Sequence, residues 1–184
     1  MAENKVQFGL KNCYYAVMTP GTTPTFATPV KIPGGVNLNL NASGEISKFY
    51  ADNMIYFQSD DHAGYDGSIE FARIPDVMRK DVFGMTEGST SHVLTEKSSD
   101  STKPIALLFQ IDGDDQEELY VLYNVACSRP GIASGTIQGT KEPVTASINI
   151  SAAPLPNGKI FARTTGSTAT TVRSGWFSAV WQEA

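Results

Sequence analysis

Charge is scarce in this sequence. Only 18% of its 184 residues are Asp, Glu, Lys or Arg, against roughly 25% in ordinary soluble domains, and Ser, Thr, Asn and Gly fill the difference. A polar surface without a dense coat of charge suits a protein that packs against copies of itself, and it suits ordinary β domains equally. The 14 Lys and Arg are outnumbered by 19 Asp and Glu, giving a formal charge of −5 and a pI near 5.0. No basic run exists, which argues against a binder of the nucleic-acid backbone, since such a binder needs clustered cations to displace counterions. Two cysteines are too few for a disulfide framework: Cys13 and Cys127, in the apolar contexts NCYYAVM and YNVACS, read as buried free thiols, with a reducing cytoplasm as the default compartment. The N-terminus MAENKVQFGL has neither the charged start nor the apolar core of a signal peptide, and no apolar segment approaches membrane-spanning length.

Histidine is equally thin, with His62 and His92 alone available for a metal site or a histidine-based triad. Asp60, Asp61 and His62 have no second His or Cys at ligand spacing and read as a solvated turn. Asp112, Gly113, Asp114 and Asp115 lack the alternating acids and distal Glu of a calcium loop, which leaves a hairpin turn. Serines stand near a histidine in Glu87 to His92, but neither that stretch nor GIASG forms a Gly-x-Ser-x-Gly elbow. Asn157, Gly158 and Lys159 form a β-turn rather than a phosphate loop, because Ala153 and Ile160 stand where a glycine and a hydroxyl residue are required. No catalytic residue and no metal ligand is assigned, no cofactor is implied, and no enzyme is expected.

What the chain does contain is a succession of short β-rich segments separated by Gly, Pro, Asn and Asp, the pattern of an antiparallel β-sandwich or barrel. Strands are expected at Asn12 to Met18, Thr28 to Ile32, Val36 to Ala42, Met54 to Gln58, Ser68 to Ile74, His92 to Glu96, Ile105 to Ile111, Glu118 to Cys127, Val144 to Ala152, Ile160 to Thr164 and Gly175 to Trp181. IALLFQIDGDDQEELYVLYNVAC reads as a central hairpin, two long apolar segments around an Asp- and Gly-rich turn. One short helix, about 75–84, is predicted in IPDVMRKDVFG: Pro75 and Asp76 start it, Val77, Val82 and Phe83 share a face, and Gly84 stops it. A long loop excursion is expected at about 43–66, with a strand inside it. Its Phe49, Tyr50, Tyr56 and Phe57 lack interleaved Lys or Arg, so packing in the core or at a subunit interface is favoured over a stacking platform for ligands or bases. TTGSTATTVRSG reads as a mobile loop. At 184 residues, 41% of them hydrophobic, one domain over 1–184 accounts for the chain.

Three segments in order, IPGGVNLNLNASGEISKFYADN, GYDGSIEFARIPDVMRKDVFG and LYVLYNVACSRPGIASGTIQGTKEPVTASINISAAPLPNGKIFART, together resemble the phi13-type major tail proteins of long-tailed (siphovirus) phages. The C-terminal segment 165–184 matches less tightly. The resemblance implies a tail tube protein of the virion, made in the bacterial host cytoplasm. Its expected fold is a single β-sandwich or barrel with a flanking helix, assembling into hexameric rings that stack into the tube through which DNA leaves the capsid. It implies as partners other copies of the chain and tail proteins such as the tape measure, tail initiator and tail terminator, with DNA passing unbound and no membrane involved. Loops make contacts within and between such rings, so Phe49, Tyr50, Asp52, Asn53, Tyr56 and Phe57 are expected at a subunit interface. A carbohydrate-binding or adhesion β-sandwich is the alternative, and a small hydrolase ranks last for want of an acid and base pair.

Within that frame the stretch GGVNLNLNAS stands out. Val36, Leu38, Leu40 and Ala42 share one parity and Asn37, Asn39 and Asn41 the other; PVTASINISA repeats the arrangement, with Val144, Ala146, Ile148 and Ile150 opposite Thr145, Ser147, Asn149 and Ser151. Sliding DNA requires a wall free of both phosphate-pairing cations and apolar patches, and neutral amides and hydroxyls meet both demands. These polar faces line the channel in one reading. In the other they meet solvent or another subunit.

Overall fold

The computed structural model describes residues 4–136, 139 and 143–183. The first three residues of MAENKVQFGL and part of the third resembling segment lie outside this set. The described chain folds as one antiparallel sheet of β1 (Gln7–Thr19), β2 (Thr25–Phe26), β3 (Val30–Ile32), β4 (Gly35–Ala51), β5 (Met54–Phe71), β8 (Ile105–Gly113), β9 (Glu118–Cys127), β10 (Ala146–Ala153) and β11 (Phe161–Arg163). A separate small hairpin joins β6 (Thr86–Glu87) to β7 (Leu94–Thr95), and two short helices, α1 (Asp76–Asp81) and α2 (Thr170–Gly175), complete the fold.

The strands run in the order β2-β1-β8-β9-β10-β5-β4, with β3 pairing β1 and β11 pairing β9. The sheet curls until Gly35, at the start of β4, lies against Cys13 and Leu10 of β1. Its concave side encloses the main core, where Tyr15, Ile69, Phe71, Ile105, Leu107, Leu122, Val125, Ile148 and Ile150 meet. The central hairpin β8–β9 runs through the middle and carries the most continuously buried strands. Cys13 and Cys127 are buried free thiols, and burial pushes them up to about 11 and about 12.

The helix closes one end of the barrel. Pro75 opens α1 with extended backbone (φ −63°, ψ 145°), suited to a position that has no N–H to leave unpaired. Met78, Val82 and Phe83 then turn inward, and the Tyr15 hydroxyl donates to Asp81 Oδ2 at 2.9 Å. Phe71, Val82 and Phe83 belong to one core. Val77, expected on the helix's apolar face, is instead 47% exposed, because the six-residue helix aims Met78 at the barrel.

The convex side divides into two halves. Over β1, β8 and β9 it is apolar and covered: Ala16, Leu108, Val121 and Tyr123 lie beneath Leu155 and Trp176, with Phe177, Val180 and Trp181 packed around them. Over β4, β5 and β10 it is polar and, among the described residues, uncovered. The expected strand at Gly175 to Trp181 does not form, and the expected mobile loop ends in α2. Trp176 and Trp181 stack at 6.0 Å, so their spacing reflects a segment laid over a sheet rather than strand alternation. Arg173 fastens this segment by donating to the carbonyls of Glu117 and Thr165 and to Thr164 Oγ1.

Candidate functional site

The uncovered polar half is built by register. Asn39 of β4 stands opposite Ser68 of β5, and Ser68 opposite Asn149 of β10. The rows on either side are Asn37, Glu70 and Ser147, and Asn41, Asp66 and Ser151. Directly opposed residues share a face, so the two asparagine- and serine-bearing strands are joined through β5 into one wall of three rows and three columns. Thr145, just before β10, donates its hydroxyl to Glu70 at the edge of this wall. Leu38 with Ile69 and Ile148, and Leu40 with Ile150, take the opposite face and pack on the core. Val36 and Val144 depart from the expected alternation and are exposed, Val36 because a bulge between Gly35 and Asn37 removes it from pairing and Val144 because it precedes the strand.

Asn37, Asn39, Asn41, Ser147, Asn149 and Ser151 are exposed, while Thr145 is half-buried. The column from β5 was missed at the level of sequence, although Asp66, Ser68 and Glu70 alternate with Gly67, Ile69 and Phe71. It changes the electrostatics: the nine wall positions hold two carboxylates and no cation. Hydrogen bonds from Ser151 and then Ser43 hold the Asp66 carboxyl below its ordinary range. The wall is therefore neutral to acidic, and both of its carboxylates accept hydroxyl hydrogen bonds.

Beyond the wall, β4 and β5 continue together. The segment expected as a long loop is a paired ribbon, from Ser43 opposite Gly64 to Ala51 opposite Met54, with bulges at Ala63 and Tyr56. Asp52 and Asn53 close it with φ of 50° and 60°, the left-handed pair that a two-residue hairpin turn requires. Asp60, Asp61 and His62, expected in a turn, lie within β5 for the same reason. Seven residues of β4 past Gly44 carry the tip about 23 Å along the ribbon at about 3.3 Å per residue. At the root, Gly64 has φ of 137°, and a Cβ there would overlap the Ala152 carbonyl, so the arm leaves the sheet at a point that excludes side chains.

The arm has no core of its own. Phe49 is 60% exposed, Tyr50 62%, Tyr56 71% and Phe57 62%. These rings are therefore not in the subunit's core. Phe49 faces Phe57 across the hairpin and meets Tyr56 edge-on at 6.5 Å, and Ile46, Met54 and Ile55 are exposed beside them. Large apolar side chains gathered this densely on a surface mark an interaction site. Among the described residues no group of three His, Cys, Asp or Glu gathers as metal ligands, and no helix is long and apolar enough to cross a membrane.

No protein-family model matches the sequence, and no curated protein does. Among solved structures, the chain is similar to one in the six-fold symmetrised cryo-EM structure of the anti-feeding prophage baseplate, at 8% identity and a TM-score of 0.47, covering 91% of this chain and 100% of that one. It is also similar to a chain of the anti-feeding prophage cap that terminates the tube, at 7% identity and a TM-score of 0.45, covering 90% and 97%. Similarity this distant carries no functional argument. The wall and the arm have to carry it.

Proposed function

We propose that this chain is a phage tail tube subunit, a structural virion protein that assembles into stacked hexameric rings and forms the conduit for DNA ejection. The observation that carries the reading is the pairing of two surfaces on one sheet: a cation-free polar wall, and an apolar arm that leaves the wall's own strands. The first suits a surface past which DNA slides, since it offers phosphate no counterion to displace and bases no apolar patch. The second suits contact with other subunits, which would cover the exposed rings. The sequence resemblance to phi13-type major tail proteins supports the same reading, and with it the tape measure, initiator and terminator as partners. In this assembly Asn37, Asn39, Asn41, Thr145, Ser147, Asn149 and Ser151 face the channel, joined by Asp66, Ser68 and Glu70.

Electron microscopy of the concentrated protein tests the reading. Rings or tubes with a central hole are expected. A monodisperse monomer at every concentration and salt, also in the presence of pre-formed tail tips, would refute it. The exposed rings favour one second reading, a carbohydrate-binding or adhesion module in which Phe49, Tyr50 and Tyr56 stack on sugar rings. Saturable glycan binding by the monomer, lost in Tyr56→Ala, would support that module instead.

A further inference from the structure

We propose that the open end of the barrel is a receptor for the aromatic arm tip of a second copy of this chain. The two ends of the barrel are finished differently. At the end where β4 begins, α1 and Phe83 fill the interior. At the end where the arm leaves, no element among the described residues covers the core, and an apolar cavity of 220 Å³ opens between Leu40, Tyr65, Phe109, Ile111, Leu122 and Phe161. A dry apolar cavity of about 150 Å³ accepts a benzene ring, so this mouth accommodates an aromatic side chain. Its rim is itself aromatic, with Tyr65 edge-on to Phe161 at 5.7 Å and to His62, at the arm root, at 5.3 Å.

The occupant follows from what the chain exposes. The arm's strands pair with each other and its tip rings stay exposed, so the tip does not occupy its own mouth. At about 200 Å² for each aromatic side chain, the four tip rings expose on the order of 500 Å². With Ile46, Met54 and Ile55 beside them, the tip approaches the roughly 800 Å² per partner of a standard interface. The arm's reach of about 23 Å is also more than half the width of a body this size, long enough to bridge to a copy packed beside it. Donor and receptor are different surfaces of one chain, which makes the contact head-to-tail, the kind that closes into rings or runs on as a filament. This rests on the self-assembly reading above and names the contact that drives it.

A complementation experiment tests it. Tyr56→Ser with Phe57→Ser removes the tip and leaves the mouth; Leu40→Trp fills the mouth and leaves the tip. By sedimentation velocity, each variant alone is expected to self-associate at least ten-fold more weakly than the unaltered chain, while an equal mixture forms one-to-one dimers and nothing longer. Circular dichroism and melting of each variant verify the fold. A second measurement does not depend on packing in the mouth: Phe57→Cys mixed with Phe161→Cys should oxidise to a disulfide-linked pair in preference to Phe57→Cys mixed with Val93→Cys, whose position is exposed on the body. Normal assembly of Leu40→Trp, or equal cross-linking in the two mixtures, overturns the mouth as receptor while self-assembly of the unaltered chain stands. An unaltered chain that stays monomeric at all concentrations overturns both.

Discussion

Asn39→Lys and Asn149→Lys each place one ammonium on the polar wall, in the row centred on Ser68. The two positions are two strand spacings apart, about 10 Å, and Asp66 and Glu70 are diagonal neighbours of both, about 7–8 Å away. At about 7 Å in water-like surroundings each carboxylate attracts the new cation by about 0.6 kcal/mol, close to thermal energy, so the ammonium remains available to a phosphate. The apolar face of each strand is untouched, and fold and tube assembly should survive. DNA passage should not. A six-fold ring with one engaged lysine per subunit offers six phosphate contacts, and six such contacts change affinity about 10³-fold between 50 and 200 mM salt. The assay is phage carrying each single change, scored for tubes by electron microscopy and for ejection rate at both salt concentrations. Ejection is expected to slow at low salt and to recover as salt rises. Normal tubes with unchanged low-salt ejection in both variants would show that neither strand faces the channel.

Phe83 is 2% exposed in the main core, so Phe83→Ala should cost about 3–5 kcal/mol in urea melts; a loss near zero with assembly abolished would move that ring from core to interface. Asp66 should make stability acid-sensitive: its folded pKa lies below the ordinary 3.8 through the hydroxyls of Ser151 and Ser43, so its contribution is present above that value and is lost as pH falls through the lower, folded one. Between pH 5 and pH 3 the urea midpoint should fall less in Ser151→Ala than in the unaltered protein, and identical profiles would remove this role. The arm from Gly44 to Ala63 is a two-stranded ribbon without a core, marginal by itself in water. Its amides should therefore exchange rapidly in the monomer and become protected in the assembly, whereas strong protection in both would take away the assembly role given to it.

The body of the fold was legible because burial writes a pattern. IALLFQ and ELYVLYNVAC are apolar enough to be read as the central hairpin, and they form β8 and β9. The two polar faces were legible in the same way, but not their union into one wall, because Asp66, Ser68 and Glu70 sit in DDHAGYDGSIEF, whose Asp and Gly content imitates a turn. The arm reads as a loop in sequence for a related reason: a ribbon solvated on both sides has no inside to alternate with, and only pairing between strands holds it. Asp52 and Asn53 carried the usable signal, since residues tolerant of positive φ between two β-rich runs mark a hairpin. At the C-terminus the sequence imitates a strand instead, because Trp176, Phe177 and Trp181 are spaced by the sheet they cover and not by an element they form.

The central claim, that the wall of β4, β5 and β10 lines a channel, is tested most directly by cryo-electron microscopy of the assembled protein at side-chain resolution. The account predicts hollow rings with Asn39, Ser68 and Asn149 on the inner surface of every subunit and the arm tips against neighbouring subunits. Rings whose inner surface is formed by other strands, with this row turned to solvent or to a neighbour, would contradict it.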